Sequence, residues 1–202
     1  MNRTTMIGLV LAGVLAGAGL GVLAFRAPSS TTEFQTQVTG KATVGGPFSL
    51  VDQTGKHVTD KDFRGRYMLV FFGYTNCPDI CPAGLQVMSA ALDKLGRRGD
   101  DIVPILITLD PERDTPQKLA SYIKSFSPRL IALTGTDSDI AATAKAYRVF
   151  FQKVPDQQDP SHYSIDHSGL FYLMGKDGAL VAPIPHTTDV EQFALAIDKA
   201  LS

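Results

Sequence analysis

The sequence predicts an α/β protein: a mixed β-sheet flanked by helices, preceded by one transmembrane helix. Three observations predict it. Residues 6–25, MIGLVLAGVLAGAGLGVLAF, hold no charged side chain. Farther on, continuous apolar runs alternate with segments of helical periodicity, and such runs suit strands buried on both faces. A turn-linked strand pair and an amphipathic helix close the chain.

The elements follow in order. The uncharged stretch is long enough to cross a bilayer at the helical rise. A cleaved signal peptide is the alternative, with residues 6–15 as its apolar region and Ala16-Gly17-Ala18 as its cleavage site. The apolar run continues unbroken to Phe25, which favours a retained anchor over residues 1–26. Gly13, Gly17 and Gly21 line up at a spacing that suits helix packing in a membrane. Residues 27–42 begin polar and Ser/Thr-rich and read as a tether. An anchor followed by a folded domain over 43–202 predicts a single-pass protein of the bacterial inner membrane, with that domain facing the periplasm. No Arg-rich transit peptide precedes the anchor.

Within 43–202, PFSLVDQTGKHVT reads as a β-hairpin turning at Gly55. RYMLVFFGY (66–74) and IVPILITL (102–109) are the buried strands. Leu85, Met88, Leu92 and Leu95 mark a helix over 83–98. Pro116 opens another that carries Leu119, Tyr122, Ile123 and Phe126. LIALTG (130–135) is a short strand, and the Ala-rich residues 137–147 are a helix. Residues 148–167 fit no element cleanly and read as a strand entering an exposed excursion. GLFYLMGKDGALVAPI (169–184) is a hairpin about Lys176-Asp177-Gly178, and 188–201 is the final helix. This order fits a thioredoxin-like sheet with an N-terminal hairpin and an excursion before the late hairpin.

Charge removes one class of function. The chain carries 19 Lys+Arg against 20 Asp+Glu. Only Arg3 and Arg26 lie in residues 1–26, so the remainder is mildly acidic. It lacks the basic footprint of a nucleic-acid binder.

The chemistry gathers in GYTNCPDICP (73–82), which holds both cysteines, Cys77 and Cys81, three residues apart. Proline is at home in the first turn of a helix. Placing Pro82 at the first helical position makes Cys81 the N-cap, where the helix start lowers a thiol's pKa. Three readings stand. A structural disulfide closing so short a loop contributes only about 2 kcal/mol by chain entropy. A redox dithiol suits exposed thiolates at a helix start. A metal site of two thiolates selects soft ions, notably Cu(I).

A metal needs a further ligand. His57, His162 and His186 have no special context. His167 stands just before the strand that begins at Gly169, where a thioredoxin-like sheet faces the cysteine loop. It would complete a Cys2His site. In DPERDTP (110–116), Asp114 or Thr115 is expected to cap the helix opened by Pro116. A thiol peroxidase would need an arginine beside the thiolate, and Arg113 is the one such residue in a motif.

The segments GYTNCPDICP, LDPERDTP and YSIDHSGLFYLMGKDG, in that order, resemble the Sco/SenC family of copper-binding, thioredoxin-fold proteins. The resemblance covers roughly residues 43–202 and the anchor. It implies one copper ion, as Cu(I) and also Cu(II), on Cys77, Cys81 and His167. It implies a metallochaperone for the copper site of cytochrome c oxidase subunit II or another copper protein, itself supplied by another copper chaperone. Some family members act instead as thiol–disulfide oxidoreductases that keep the recipient's cysteines reduced, which would make Cys77 and Cys81 the redox-active pair. The chain departs from the family at Asn76 and at Ala83-Gly84-Leu85, where an acidic residue is often found.

Overall fold

A computed structural model of the chain describes residues 43–159 and 162–202. The expected anchor and tether, 1–42, lie outside the described residues. Among those described, no helix is long and apolar enough to cross a membrane.

The predicted thioredoxin-like mixed sheet is present. Strands β1 (Ser49–Asp52) and β2 (His57–Thr59) form the early hairpin. Strands β3 (Tyr67–Gly73) and β4 (Ile102–Thr108) form the parallel centre, with β5 (Ile131–Thr134) parallel beyond β4. Strands β8 (Leu170–Met174) and β9 (Leu180–Pro185) add the late hairpin antiparallel to β3. The order is β2-β1-β5-β4-β3-β8-β9. β4 is buried along its whole length and β3 is buried beyond Tyr67, as central strands covered on both faces must be.

The helices follow their caps. Helix α1 runs Ile80–Lys94, the short α2 Arg97–Asp100, α3 Pro116–Tyr122, α4 Asp137–Ala146 and α5 Val190–Ala200. Thr115 caps α3, with its side chain accepting from the Lys118 N–H, and Pro116 takes the first turn as expected. Thr136 and Asp139 form a capping box on α4, and Asp189 caps α5.

Two expectations are revised. Residues 148–167 hold the expected strand and exposed excursion, but as regular elements. They fold back as a separate hairpin, β6 (Phe151–Pro155) and β7 (Tyr163–His167). The Asp156 carboxylate accepts from the Gln158 and Asp159 N–H groups and turns the chain. Strand β6 is exposed from Gln152 onward, so it carries no alternating pattern to read. The second correction concerns α1, which starts at Ile80 with Asp79 as N-cap. Cys81 and Pro82 are therefore both inside the first turn, where a missing proline N–H costs no helical bond.

Register brings the loops together. Gly73 pairs with Thr108, so β3 and β4 end abreast, and Leu109 N–H donates to the Gly73 carbonyl. Phe71 pairs with Phe171 near the start of β8. The cysteine loop, the DPERDTP loop and His167 thus share one edge of the sheet.

Candidate metal centre

Cys81 is fully buried and Cys77 is half-buried, and both are free thiols. Because Cys81 lies inside the first turn, its backbone N–H has no helical partner and donates instead to the Cys77 sulfur at 3.3 Å. Asp79 makes no side-chain capping bond, so the sulfur takes a capping role. The Cys77 thiol is drawn far below its ordinary range, to about 4. The hydrogen bond with the Cys81 side chain is the main cause. Against the cost of burial, the backbone N–H groups of Cys81 and Asp79 add to it. The same bond pushes the Cys81 thiol up, and burial pushes it further.

His167 closes the group. Its Nε2 lies 3.6 Å from the Cys81 sulfur, across 86 residues of sequence. Its Nδ1 lies 3.1 Å from the Ser168 carbonyl, which can only accept, so Nδ1 carries the proton. His167 thus turns Nε2 toward the sulfurs. The Cys81 thiol proton has two acceptors beside it, the Cys77 sulfur and His167 Nε2. Among the described residues, no group of three or more His, Cys, Asp or Glu side chains forms a ready-made metal cage. Two sulfurs and an imidazole nitrogen nevertheless make a soft donor set, and a thiol proton stands where a cation would compete.

Small residues make room for this. A Cβ on Gly73 would stand 3.0 Å from the Cys81 sulfur, so a bare backbone is needed beneath it. At Gly84 a Cβ would meet the Phe171 ring at 3.1 Å and His186 at 3.2 Å. The departure from the family's acidic pattern at Ala83-Gly84-Leu85 thus coincides with close packing of α1.

His167 is held from several sides. The Phe71 and Tyr74 rings meet its imidazole edge-on. The Tyr74 hydroxyl accepts from the Ile165 N–H at 3.1 Å. At the start of β7, the Tyr163 hydroxyl donates to Asp110 at 2.8 Å, and Arg113 donates to the Tyr163 carbonyl at 3.1 Å. The Arg113 guanidinium also stacks on the Tyr163 ring at 3.7 Å and pairs with Asp110. Arg113 is thereby engaged with Asp110 and Tyr163.

Asp114 does not cap α3. Its fully buried carboxylate accepts from the Thr75 N–H at 3.0 Å and hydroxyl at 2.5 Å, and from the Thr108 hydroxyl at 2.6 Å. Tyr74 and Asp114 are the functional neighbours that sequence reasoning missed. The only signal was their place inside the two motifs. Of the remaining histidines, His57 begins β2 at the far edge of the sheet, and His162 lies in the β6–β7 hairpin beside Asp159. His186 lines the groove by the cysteine loop, but its Nε2 is 3.2 Å from the Ile80 carbonyl.

Comparison with known proteins gives a consistent result. The SCO1/SenC family model matches residues 36–202. The chain is 39% identical over 178 residues to the human mitochondrial protein SCO1 homolog, covering 87% of this chain and 58% of that one. The mitochondrial SCO1 homolog 1 of Arabidopsis thaliana is 42% identical over 163 residues, 80% of this chain and 48% of that one. The chain thus spans about half the length of these curated relatives. The structure of Bradyrhizobium japonicum ScoI with copper bound superposes with a TM-score of 0.70 at 43% identity, over 78% of this chain and 99% of that one. BsSco, described as a member of the Sco family of cytochrome c oxidase assembly proteins, superposes with a TM-score of 0.61 at 26% identity, over 78% of this chain and 94% of that one.

Proposed function

The chain belongs to the SCO1/SenC family, and from that premise we propose that it is a copper-binding assembly factor for cytochrome c oxidase. It takes one copper ion on Cys77, Cys81 and His167 and passes it to a copper protein, with the copper site of oxidase subunit II as the expected recipient. The observation that carries this reading is the approach of His167 Nε2 to within 3.6 Å of the Cys81 sulfur, with Cys77 alongside. A lone redox dithiol has no need of an imidazole whose Nε2 faces it.

The residues divide the work. Cys77 is held as a thiolate and so meets the ion with no proton to lose. Cys81 exchanges its proton for the ion. His167 is pre-turned by Ser168, so ring reorientation adds little cost. Two thiolates and an imidazole approach a trigonal site that suits Cu(I) and tolerates Cu(II), whereas zinc would want a fourth ligand. His186 turns its Nε2 to the Ile80 carbonyl, so that nitrogen does not supply one. Residues 1–26 anchor the chain in the bacterial inner membrane, and 27–42 tether the 43–202 domain in the periplasm.

A second reading rests on a specific observation: an acidic, half-exposed thiol beside a second thiol is equipped for thiol–disulfide exchange. One experiment separates the two. The reduced, copper-loaded chain is mixed with an apo oxidase copper domain, in one arm with that domain's cysteine pair reduced and in the other with it as the disulfide, while copper and disulfide state are followed together. Movement of metal without thiol exchange supports the chaperone. Exchange of thiols without metal supports the oxidoreductase and rejects the first reading.

A further inference from the structure

The cysteine loop is fastened to the protein by the residues just before Cys77, and the fastening point is a buried carboxylate. Asp114 is 0% exposed. It accepts both from the Thr75 N–H and from the Thr75 hydroxyl. Thr108, at the end of β4, donates to it from the core side. The Lys118 ammonium sits 3.6 Å from it and also donates to Asn76 Oδ1 at 2.6 Å. Thr75 and Asn76 are therefore both tied to the start of α3. Nothing in capping requires this, because Thr115 already caps that helix. A carboxylate withdrawn wholly from water carries a desolvation cost that its hydrogen bonds must offset. Here two of those bonds come from Thr75, and Lys118 holds Asn76, the two residues that precede a half-buried cysteine.

We propose that Asp114, with Lys118, is a positioning residue for Cys77, holding Thr75 and Asn76 so that the Cys77 sulfur stays within reach of the Cys81 N–H and of His167. The two cysteines then face each other at a fixed separation before any metal arrives. The fixed separation favours the dithiol over the disulfide, because the reduced geometry is the one the clamp holds. This deepens the copper-site reading and rests on it only for the metal measurement.

The test uses the full-length chain in detergent, as wild type, Thr75→Val, Asp114→Asn, Asp114→Ala and Thr136→Ala. The last removes the cap of α4 and serves as a stability control away from the site. Two quantities are read: the dithiol–disulfide equilibrium constant of the metal-free protein against glutathione, and Cu(I) affinity by competition with a chromophoric chelator. Losing a hydrogen bond to a buried charge should move each by about tenfold. Thr75→Val and Asp114→Ala shift the equilibrium about tenfold toward the disulfide, roughly 30 mV more negative, and weaken copper binding by a similar factor. Asp114→Asn, which keeps an acceptor for the Thr75 N–H, falls between. Thr136→Ala lowers the melting temperature and moves neither. Should Asp114→Ala fail to fold, Thr75→Val decides. The proposal is overturned if Thr75→Val and Asp114→Asn both stay within about twofold of wild type, or if Thr136→Ala moves both readouts as far. A wild type that binds no copper would reject the copper-site reading, while the thiol equilibrium would still judge Asp114.

Discussion

The two halves of the candidate centre are built on opposite plans. The cysteine half grows from the core: β3 is buried, Cys81 is fully buried, and Asp114 ties the loop from beneath. The histidine half sits on an arm. Strands β6 and β7 pair only with each other, and of β7 only Ile165 is buried. The arm is fastened by Ile165 in the core and by polar contacts: Tyr74 to the Ile165 N–H, the Asp110–Arg113 pair to Tyr163, and Lys153 to Glu112. The contrast teaches that the sulfur donors are carried by a core-anchored loop, whereas the nitrogen donor is fixed by the buried Ile165, the flanking Phe71 and Tyr74 rings and polar contacts that substitution can cut one at a time.

The largest break should come from the core half. Cys81→Ser removes a soft ligand and also the thiol that stabilises Cys77, so tight Cu(I) binding should disappear in a chelator competition. His167→Ala comes next. Losing an outer-shell partner typically costs about 10–100-fold in metal affinity, and losing the ligand itself should cost more. The variant should still form the Cys77–Cys81 disulfide under oxidation, a difference read by thiol counting.

Protons sharpen the contrast further. Cys77 is already ionised above about pH 4, whereas the raised Cys81 thiol keeps its proton through neutrality. Copper must displace that one proton. Between pH 7 and 8, Cu(I) affinity should therefore rise about tenfold per pH unit, with one proton released per ion. Two ordinary thiols would release nearly two. Isothermal titration in buffers of different ionisation enthalpy counts them.

Smaller effects belong to the arm. Tyr74→Phe leaves the Ile165 N–H without its partner, at a cost of about 1–3 kcal/mol. It should loosen the arm and weaken copper binding by roughly tenfold, read by hydrogen exchange over 163–167 and by copper titration. Val154→Thr, on the exposed strand β6, should change stability by less than about 0.5 kcal/mol and leave copper affinity at the wild-type value.

The same division governs what the sequence makes legible. The buried strands can be read because a strand covered on both faces leaves a continuous apolar run, as 66–74 and 102–109 do. His167 can be placed because the late hairpin is legible and its first strand must pair antiparallel to β3. The β6–β7 hairpin cannot be read, because an exposed strand obeys no burial pattern. The start of α1 is misplaced for a related reason. Proline is acceptable anywhere in a first turn, so Pro82 locates the turn and leaves its first residue open. Asp114 is assigned to capping because a carboxylate before Thr-Pro is a common helix-start pattern. Its burial depends on β3 and β4 ending abreast, a tertiary fact.

The central claim is that two sulfurs from a core-anchored loop and one nitrogen from a lightly held arm receive a single copper ion. X-ray absorption of the Cu(I)-loaded chain, wild type beside His167→Ala, tests it most directly. The account predicts two sulfur scatterers and one imidazole nitrogen around copper in the wild type, and the loss of that nitrogen alone in the variant. An unchanged shell in His167→Ala, or a wild-type shell without nitrogen, would contradict it.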